Sequence, residues 1–400
     1  MKKNLLLFLL TIVIATVVIK ALRLDVSNKT LNIFAERYFD EAYYLEHYPE
    51  AKISGLTPFE HYITVGWKEH KNPSADFNSR FYVNMYLLQN KYNLNPLADY
   101  FRSNMSFKKR YTKPEQMKKA TLLESPKYYL SLVAIFQNEA RFLKEWIEFY
   151  RMIGVEHFYL HNHLSTDNYQ EILEPYIEAG IVELRQVTKI PKTLPEWNKI
   201  QVGVYSKTAK EVKNITEWLV VVDTDEFLFP VKERSLADAL KKYDEYAALS
   251  VNWKMFGSSA VERIGDNQLM IEQLKGSRAT KDSTVKTIVK PRYVASFENP
   301  HYPVMLDGYA QISENFEYFW RACMPEETYN IFRINHYWTR DLEFYRSNKI
   351  NRVHIKTDGK TQEEIDAQIA NLYKKNDLIS IEHDDFILKY VDELRSRLGY

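Results

Sequence analysis

Three carboxylates lie within four consecutive positions, between two apolar runs. The segment WLVVVDTDEFLFP begins at Trp218 and contains Asp223, Asp225 and Glu226. Side chains two residues apart on an extended chain point the same way, so Asp223 and Asp225 are expected to converge beyond a buried strand. Two hard oxygen ligands suit Mn²⁺ or Mg²⁺, which keep coordination positions open for phosphate oxygens. The segment therefore predicts a metal site that holds a departing diphosphate.

Many exposed turns also contain a lone D-x-D pair, so the surrounding pattern has to support the chemical interpretation. Glu226, the third carboxylate, is predicted to orient the other two or to satisfy a backbone amide. We predict Asp225 and Glu226 as the catalytic carboxylates of this turn.

Strands and helices alternate around the acidic turn. Apolar runs predict strands at YYLSLVAIF, VEHFYLHN, IVELRQV and EWLVVVD. Between them lie the helical patterns EARFLKEWIEFYRMIG and NYQEILEPYIEAG and a helical segment over residues 197–214. This alternation predicts an α/β fold with a mostly parallel sheet flanked by helices.

Polar residues follow the ends of the predicted strands, where such sheets bind ligands. They are Gln137, Asn138 and Glu139 after the first strand, Asn162, Ser165 and Asp167 after the second, and Asp223 and Asp225 after the fourth. Residues 247–345 have more strand character, and TQEEIDAQIANLYKKN predicts a helix in the C-terminal tail.

Composition excludes several classes of protein. The chain has 400 residues, and 54 basic against 53 acidic side chains give a net charge of +1, so no basic excess indicates a nucleic-acid partner. Cys323 is the one cysteine, which rules out an internal disulfide and a cysteine-rich zinc site. The high aromatic content fits core packing better than a sugar-binding platform.

The N-terminal third predicts three pieces. Residues 4–19 are uncharged and apolar, slightly short of the roughly 20 residues that cross a bilayer. Because no A-x-A cleavage pattern follows, we predict an uncleaved membrane anchor over 1–24 and a single-pass membrane protein, on the cytoplasmic face if bacterial. FDEAYYLEHYPEA at Phe39 matches FNSRFYVNMYLLQ at Phe77, an offset of 38, which predicts a tandem helical repeat module over 36–104. The module is interpreted as a spacer, with docking of a partner as the alternative, and residues 105–127 are predicted to be a basic linker.

Several blocks, taken together, resemble glycosyltransferase family 92 and its family 2-like relatives. They run from SLVAIFQNEARFLKEWIEFYRMIG through DTDEFLFP, NWKMFGSSA and VKTIVKP to INHYWTRDLEFYRSNK. The resemblance covers about residues 128–355, with a helical tail over 356–400. It implies a GT-A fold, a nucleotide-sugar donor that is often UDP-linked, a divalent metal and a role in polysaccharide biosynthesis. The repeat also resembles modules attached to bacterial glycosyltransferases.

The resemblance implies roles for individual positions. It assigns donor binding to Asn138, Glu139, Asn162, Asp167, Gln201, Asp223, Lys286 and Lys349, and metal binding to Asp223, Asp225 and His336. Tyr205 is expected to face the cleft with Gln201. The family block that begins with Asp-Asn has Asn162 and His163 here, which leaves the nucleotide contact at these positions open.

For some of these residues, a purely structural role is the alternative. His336 lies between apolar residues, as core histidines do, and Lys286 and Lys290 alternate with apolar residues, as on a solvated strand face. Residues 253–259, with Trp253, Phe256 and Ser258, form either an acceptor shelf or a packed turn.

The predicted function is metal-dependent transfer of a sugar, a hexose by expectation, to a hydroxyl of a glycan or glycolipid, with inversion of configuration. A general base should then take the hydroxyl proton. Glu272, Asp307 and Glu314 are candidates only as carboxylates of the second half. The alternatives are a non-catalytic sugar- or nucleotide-binding protein on the same fold and a metal-dependent phosphoesterase, which would need more ligands for two metals.

Overall fold

The computed structural model describes residues 28–87, 94–105, 110–279, 282–324, 326–349, 361, 363–364, 367–368, 370–371 and 380–400. The chain packs into two compact units, Met1–Lys118 and Lys119–Tyr400. The predicted helix over 361–376 falls mostly outside the described residues, and the predicted anchor over 1–24 falls wholly outside them.

The first unit consists of short helices. They are α1 (Asn28–Ala35), α2 (Glu41–His47), α3 (Pro58–Thr64), α4 (Ser79–Tyr82) and α5 (Pro96–Met105). Single helical turns lie at Glu36–Tyr38, Pro49–Ile53, Gly66–Glu69, Val83–Leu87 and Pro114–Gln116.

Matched positions of the two 38-residue segments make matched buried hydrogen bonds. The Tyr44 hydroxyl bonds Nδ1 of His61 at 2.9 Å. The Tyr82 hydroxyl, 38 residues on, donates to Oδ2 of Asp99 at 3.0 Å. Both tyrosines are fully buried, so each bond satisfies a polar group inside an aromatic core. Duplication, and the choice between spacer and docking module, stay predictions.

The second unit is an α/β structure. Its strands are β1 (Tyr128–Phe136), β2 (His157–Asn162), β3 (Val182–Gln186), β4 (Thr216–Val221), β5 (Glu226–Pro230), β6 (Ala248–Met255), β7 (Gly276–Arg278), β8 (Val285–Val289), β9 (Val294–Asn299), β10 (Tyr302–Met305), β11 (Gln311–Ile312), β12 (Tyr318–Phe319), β13 (Phe332–His336) and β14 (Ser380–His383). Its helices are α6 (Ala140–Met152), α7 (Tyr169–Glu178), α8 (Leu194–Val212), α9 (Leu236–Leu240), α10 (Met270–Gln273), α11 (Leu342–Ser347) and α12 (Val391–Leu398).

The central sheet has the order β12-β11-β6-β8-β4-β1-β2-β3, and β13 joins it by pairing with β6 and β5. The pairs among β3, β2, β1 and β4 are parallel, as are β6 with β11 and with β13. The predicted α/β class with a mostly parallel sheet is therefore confirmed. One feature was not predicted: β8, the strand that carries Lys286, lies between β4 and β6 and runs antiparallel to both.

Strand β1 is buried on both faces because its apolar residues do not alternate with polar ones. Leu132 and Ala134 pack toward the core that contains Trp146 of α6. Val133 and Ile135 point the other way, toward a second core that contains Tyr205 of α8. The sheet is thus covered by helices on both faces, which leaves its edge at the carboxyl ends of β1 and β4 to form a site.

The prediction of a single-pass membrane protein is contradicted by the helices in the part of the chain that the structure describes. None of them is both long enough and apolar enough to span a bilayer. The longest, α8, has 19 residues but includes Glu196, Lys199, Lys207, Lys210 and Glu211, so it is amphipathic and lies against the sheet.

The predicted linker over 105–127 divides between the units. The Thr112 carbonyl accepts from the Asn78 amide within the first unit. Ala120 and Thr121 instead bond Glu245 and Tyr293 within the second.

Candidate active site

A pocket of about 450 Å³ lies at the carboxyl ends of β1, β2 and β4, where the sheet topology favours ligand binding. The pocket combines carboxylates, lysines, histidines and tryptophans. Its lining includes Gln137, Glu139, His163, Trp197, Asn198, Gln201, Asp223, Thr224, Asp225, Trp253, Lys286, Pro300, His301, His336, Trp338 and Lys349.

Asp223 is held by three side chains from two elements. Oδ1 accepts from Nε2 of Gln201 at 2.9 Å and from the Tyr205 hydroxyl at 3.1 Å. Because Gln201 and Tyr205 are four residues apart on α8, they share one helix face. Oδ2 accepts from Nζ of Lys286 on β8 at 2.8 Å. Burial alone would raise the pKa of Asp223, but Lys286 outweighs it and holds that pKa below its usual value.

Asp225 is paired with His336, the last residue of β13, and with Lys349, which follows α11. Nζ of Lys349 donates to its Oδ2, and Nε2 of His336 lies 3.5 Å from its Oδ1. The Tyr337 amide donates to the Asp225 carbonyl at 2.8 Å, which fixes the backbone of the turn. Burial opposes ionisation of Asp225, yet Lys349 and His336 hold its pKa well below the ordinary value.

Glu226 lies behind the turn and does not line the pocket. Its Oε2 accepts from the Asp223 amide at 2.8 Å, so it satisfies a backbone donor of the acidic turn. Burial, followed by the charges of Asp223 and Asp225, outweighs nearby Lys286 and raises the pKa of Glu226 well above its usual value. We infer that Glu226 orients the backbone at Asp223 through this bond, and its predicted catalytic role stays a prediction.

A divalent cation fits one part of the predicted metal set. Asp225 and His336 present an oxygen and a nitrogen 3.5 Å apart, and both ring nitrogens of His336 are buried with no hydrogen-bond partner in the described part of the chain. Over the same residues, no group of three or more His, Cys, Asp or Glu side chains is arranged to hold a metal ion. A site shared by Asp223, Asp225 and His336 therefore stays a prediction, with Asp225 and His336 as its supported part.

Aromatic rings line the pocket on both sides of the acidic turn. The Trp253 ring lies 4.3 Å from that of His336 and 5.1 Å from that of His301. His301 donates from Nδ1 to the Val285 carbonyl at 3.1 Å, and burial, with Lys286 next, lowers its pKa to about 4. His301 is therefore a neutral ring at neutral pH.

His163 also lines the pocket. Its ring lies 5.0 Å from that of Trp197, and it donates from Nε2 to the Lys189 carbonyl at 2.9 Å. Trp197, Trp338 and His301 were not predicted as site residues, because nothing in the local sequence shows that a single aromatic side chain faces a pocket.

Five of the eight predicted donor-binding residues reach this pocket: Glu139, Gln201, Asp223, Lys286 and Lys349. The other three form a loop network beside it. The Asn162 side chain bonds Tyr169, Gln186 and the Ser165 amide. The Asn138 side chain accepts from the Thr166 amide, and Asp167 accepts from the Ala140 amide. These three support the loops after β1 and β2 without lining the pocket, and their donor contact stays a prediction.

Lys290 lies away from the pocket, where it pairs with Glu217 at 3.0 Å in a buried cluster. In the 253–259 segment, Trp253 lines the pocket, whereas Phe256 and Ser258 are fully buried.

The three carboxylates considered as general bases also lie elsewhere. Glu314 accepts from three backbone amides, Glu272 pairs with Arg395, and Asp307 lies exposed after β10.

Comparison with known proteins assigns the part of the chain that contains this pocket to a family. The family model described as glycosyltransferase family 92 matches residues 128–368, more than half of the chain, and this range includes the whole pocket. A family 92 protein of Ricinus communis is 24% identical over 230 residues, 56% of this chain and 38% of that protein. One of Oryza sativa subsp. japonica is 27% identical over 114 residues, 28% of this chain and 18% of that protein. The chain thus spans less than two fifths of the length of these relatives.

Solved structures give a weaker likeness. Staphylococcus aureus TarS 1-349 in complex with UDP is 16% identical, with 41% of this chain and 47% of that chain covered and a TM-score of 0.26. Another structure of Staphylococcus aureus TarS is 14% identical, with 62% of this chain and 44% of that chain covered and a TM-score of 0.29. Both scores lie below 0.5, so the assignment rests on the sequence comparisons. By the family match over the pocket-bearing unit, the chain belongs to glycosyltransferase family 92.

Proposed function

We propose that the chain transfers a sugar from a nucleotide-sugar donor, UDP-linked by expectation, to a hydroxyl of a glycan or glycoconjugate on a GT-A-like fold. The observation that carries the proposal is the convergence of Asp223, Asp225, Lys286, His336 and Lys349 in one pocket at the carboxyl ends of the strands. Family 92 membership supports glycosyl transfer as the reaction class.

The two lysines suit the charge that appears on a departing diphosphate. Lys286 and Lys349 are fully buried, and each is already within hydrogen-bonding reach of an aspartate of the turn. A positive group fixed in a water-poor pocket stabilises developing negative charge more strongly than one in bulk water. We assign both lysines to the leaving group.

Asp223 is assigned to the donor's sugar hydroxyls. Its carboxylate is fixed by Gln201, Tyr205 and Lys286, and its side chain keeps 30% of its surface exposed toward the pocket. A carboxylate accepts more hydrogen bonds than these three, so it can accept one from a hydroxyl in a fixed direction.

Asp225 and His336 would hold a divalent cation, Mn²⁺ or Mg²⁺, which would add positive charge beside the diphosphate. On the protein side, Trp253 and Trp338 offer apolar ring faces on which an acceptor sugar can stack. The acceptor hydroxyl would then attack the anomeric carbon with inversion and lose its proton to a general base, while the bond from that carbon to the diphosphate breaks.

The proposal is tested by nucleotide release. The purified chain is incubated with Mn²⁺ and a panel of nucleotide sugars, with and without oligosaccharide acceptors, and free nucleotide is measured. Release from at least one donor is expected, and Lys349→Met should lower it by about 100-fold, a typical loss for one transition-state contact. Nucleotide binding without release from any donor would favour the alternative, a non-catalytic binding protein.

A further inference from the structure

Arg340 is a buried cation that the sequence patterns did not single out. Its side chain is fully buried, and its guanidinium lies 4.7 Å from the Phe142 ring and 5.9 Å from the Phe344 ring. Its backbone has a φ of +60°, in the left-handed region that residues other than glycine rarely adopt. Such a conformation persists when the surrounding contacts fix it, and it is enriched at functional sites.

One nitrogen of Arg340 joins two walls of the pocket. Nη2 donates to Oε2 of Glu139 at 2.7 Å and to the Thr224 carbonyl at 2.7 Å. Glu139 follows β1, and Thr224 lies between Asp223 and Asp225 in the acidic turn. Both Glu139 and Thr224 line the pocket. A single side chain therefore ties the end of β1 to the acidic turn.

The acidic turn is fixed on either side of Thr224. Its flanking aspartates are held through their side chains by Lys286 and Lys349. Its backbone is held by bonds between Asp223 and Glu226 and by the Tyr337 amide at the Asp225 carbonyl. The Thr224 carbonyl lies between them, and its bond to Arg340 is charge-assisted and hence stronger than a neutral one. Loss of this bond would let the peptide of Thr224 rotate and would move both aspartates.

We propose that Arg340 is a positioning residue for glycosyl transfer, holding the acidic turn in register with the end of β1. In this account Glu139 acts through Arg340, as the carboxylate that pairs its buried charge, and not as a direct contact of the donor. The inference rests on the proposed function, because positioning is defined by the reaction that the pocket performs.

The test is Arg340→Met, with Arg333→Met as the matched control. Arg333 is also buried and lies on β13, but it pairs with Asp384 at 2.6 Å and does not line the pocket. Arg340→Met is expected to lower kcat by about 100-fold, as small misplacements of catalytic groups do, while KM for the donor changes little. Arg333→Met should keep the wild-type kcat even where it lowers the melting temperature as much as Arg340→Met does. Equal kcat losses in the two variants would overturn the proposal, since a purely structural role predicts them.

Glu139→Gln provides an arm that does not depend on the folding of Arg340→Met, because the shape of the side chain is kept. It should lower kcat with little change in KM, and a rise in KM alone would show that Glu139 contacts the donor directly. Combining Glu139→Gln with Arg340→Met should add little to the larger single effect. If the wild-type chain releases nucleotide from no donor, the proposed function fails. The positioning role is then read from hydrogen–deuterium exchange of the backbone amides of the acidic turn, which must be faster in Arg340→Met than in the wild type and unchanged in Arg333→Met. Equal exchange in all three chains would overturn the role.

Discussion

At the scale of residues, charge compensation explains how an acidic turn can be buried at a strand end. Lys286 lies within 2.8 Å of Asp223 and 3.7 Å of Glu226. The side chains of Lys286 and Glu226 are fully buried, and that of Asp223 is partly buried. Although burial opposes its charge, the two carboxyl groups raise the pKa of Lys286 above its usual value. The lysine is therefore charged and is part of both the fold and the site.

Lys286→Met should destabilise the chain by about 3 to 5 kcal/mol, because it leaves a buried carboxylate without its cation. The free energy of unfolding is measured by chemical denaturation. Lys254→Met is the control, since Lys254 on the neighbouring strand pairs with the half-exposed Glu382, and exposed pairs contribute about 1 kcal/mol or less. A loss for Lys286→Met no larger than for the control would contradict the assigned pairing.

At the scale of elements, helix α6 fixes the strand that follows the acidic turn. Trp146 and Tyr150 both donate to the Glu226 carbonyl at 3.0 Å, and the Tyr150 hydroxyl also accepts from the Leu228 amide at 2.9 Å. The helix thus bonds β5 where the strand begins, on the side away from the pocket.

Tyr150→Phe should lower the free energy of unfolding by about 1 to 3 kcal/mol, since it leaves a buried amide without an acceptor. Chemical denaturation measures this change, and Tyr128→Phe, which alters a partly buried ring at the start of β1, is the control. If the two variants are equally stable, the hydroxyl of Tyr150 does not have the role described.

Strand β2 and helix α8 are joined by a histidine whose charge state matters. His161 Nε2 lies 3.1 Å from Oγ1 of Thr208, and burial, with Arg185 and Lys207, lowers the pKa of His161 to about 4. The unfolded chain gains this proton near pH 6.5, whereas the folded chain resists it until about pH 4. Stability from this group is therefore complete above pH 6.5 and is lost as the pH falls toward 4.

The expected loss from His161 over this window is about 3 kcal/mol. Thermal unfolding between pH 7 and pH 4 should show a smaller decline in His161→Leu than in the wild type. His383→Leu, at an exposed position, should keep the wild-type slope. Parallel slopes in all three proteins would show that His161 does not titrate as described.

Local pattern predicted the elements well and the site in part. YYLSLVAIF coincides with β1, and the helical pattern after it coincides with α6. A short apolar run rich in aromatic and β-branched residues favours a buried strand, and a 3.6-residue period favours a helix. The acidic turn followed from its place after β4. The antiparallel β8, by contrast, depends on pairing between distant segments, and Lys286 could not be paired with Asp223 before that pairing was known.

At the scale of the whole molecule, the proposed chemistry lies in one unit. Every residue of the pocket falls within Lys119–Tyr400, and the family match begins at residue 128. Arg340 was contained in a quoted sequence block but carried no signal of its own, since nothing local shows that its side chain reaches Thr224, 116 residues away.

A chain of residues 119–400 should therefore keep nucleotide release within about threefold of the full chain, because no pocket group is removed. Release is compared at equal protein concentration, with circular dichroism as the control for folding. A folded but inactive fragment would assign the first unit a part in the reaction and would reject its interpretation as a spacer.

The most direct test of the central claim is donor turnover by Asp225→Asn. This change keeps the shape of the side chain but removes the charge that faces Lys349 and His336. With the best donor of the panel and Mn²⁺, nucleotide release is expected to fall by about 100-fold or more, while Asp392→Asn, at an exposed position of α12, should match the wild type. Wild-type release from a folded Asp225→Asn chain would contradict the claim that this turn holds the leaving group.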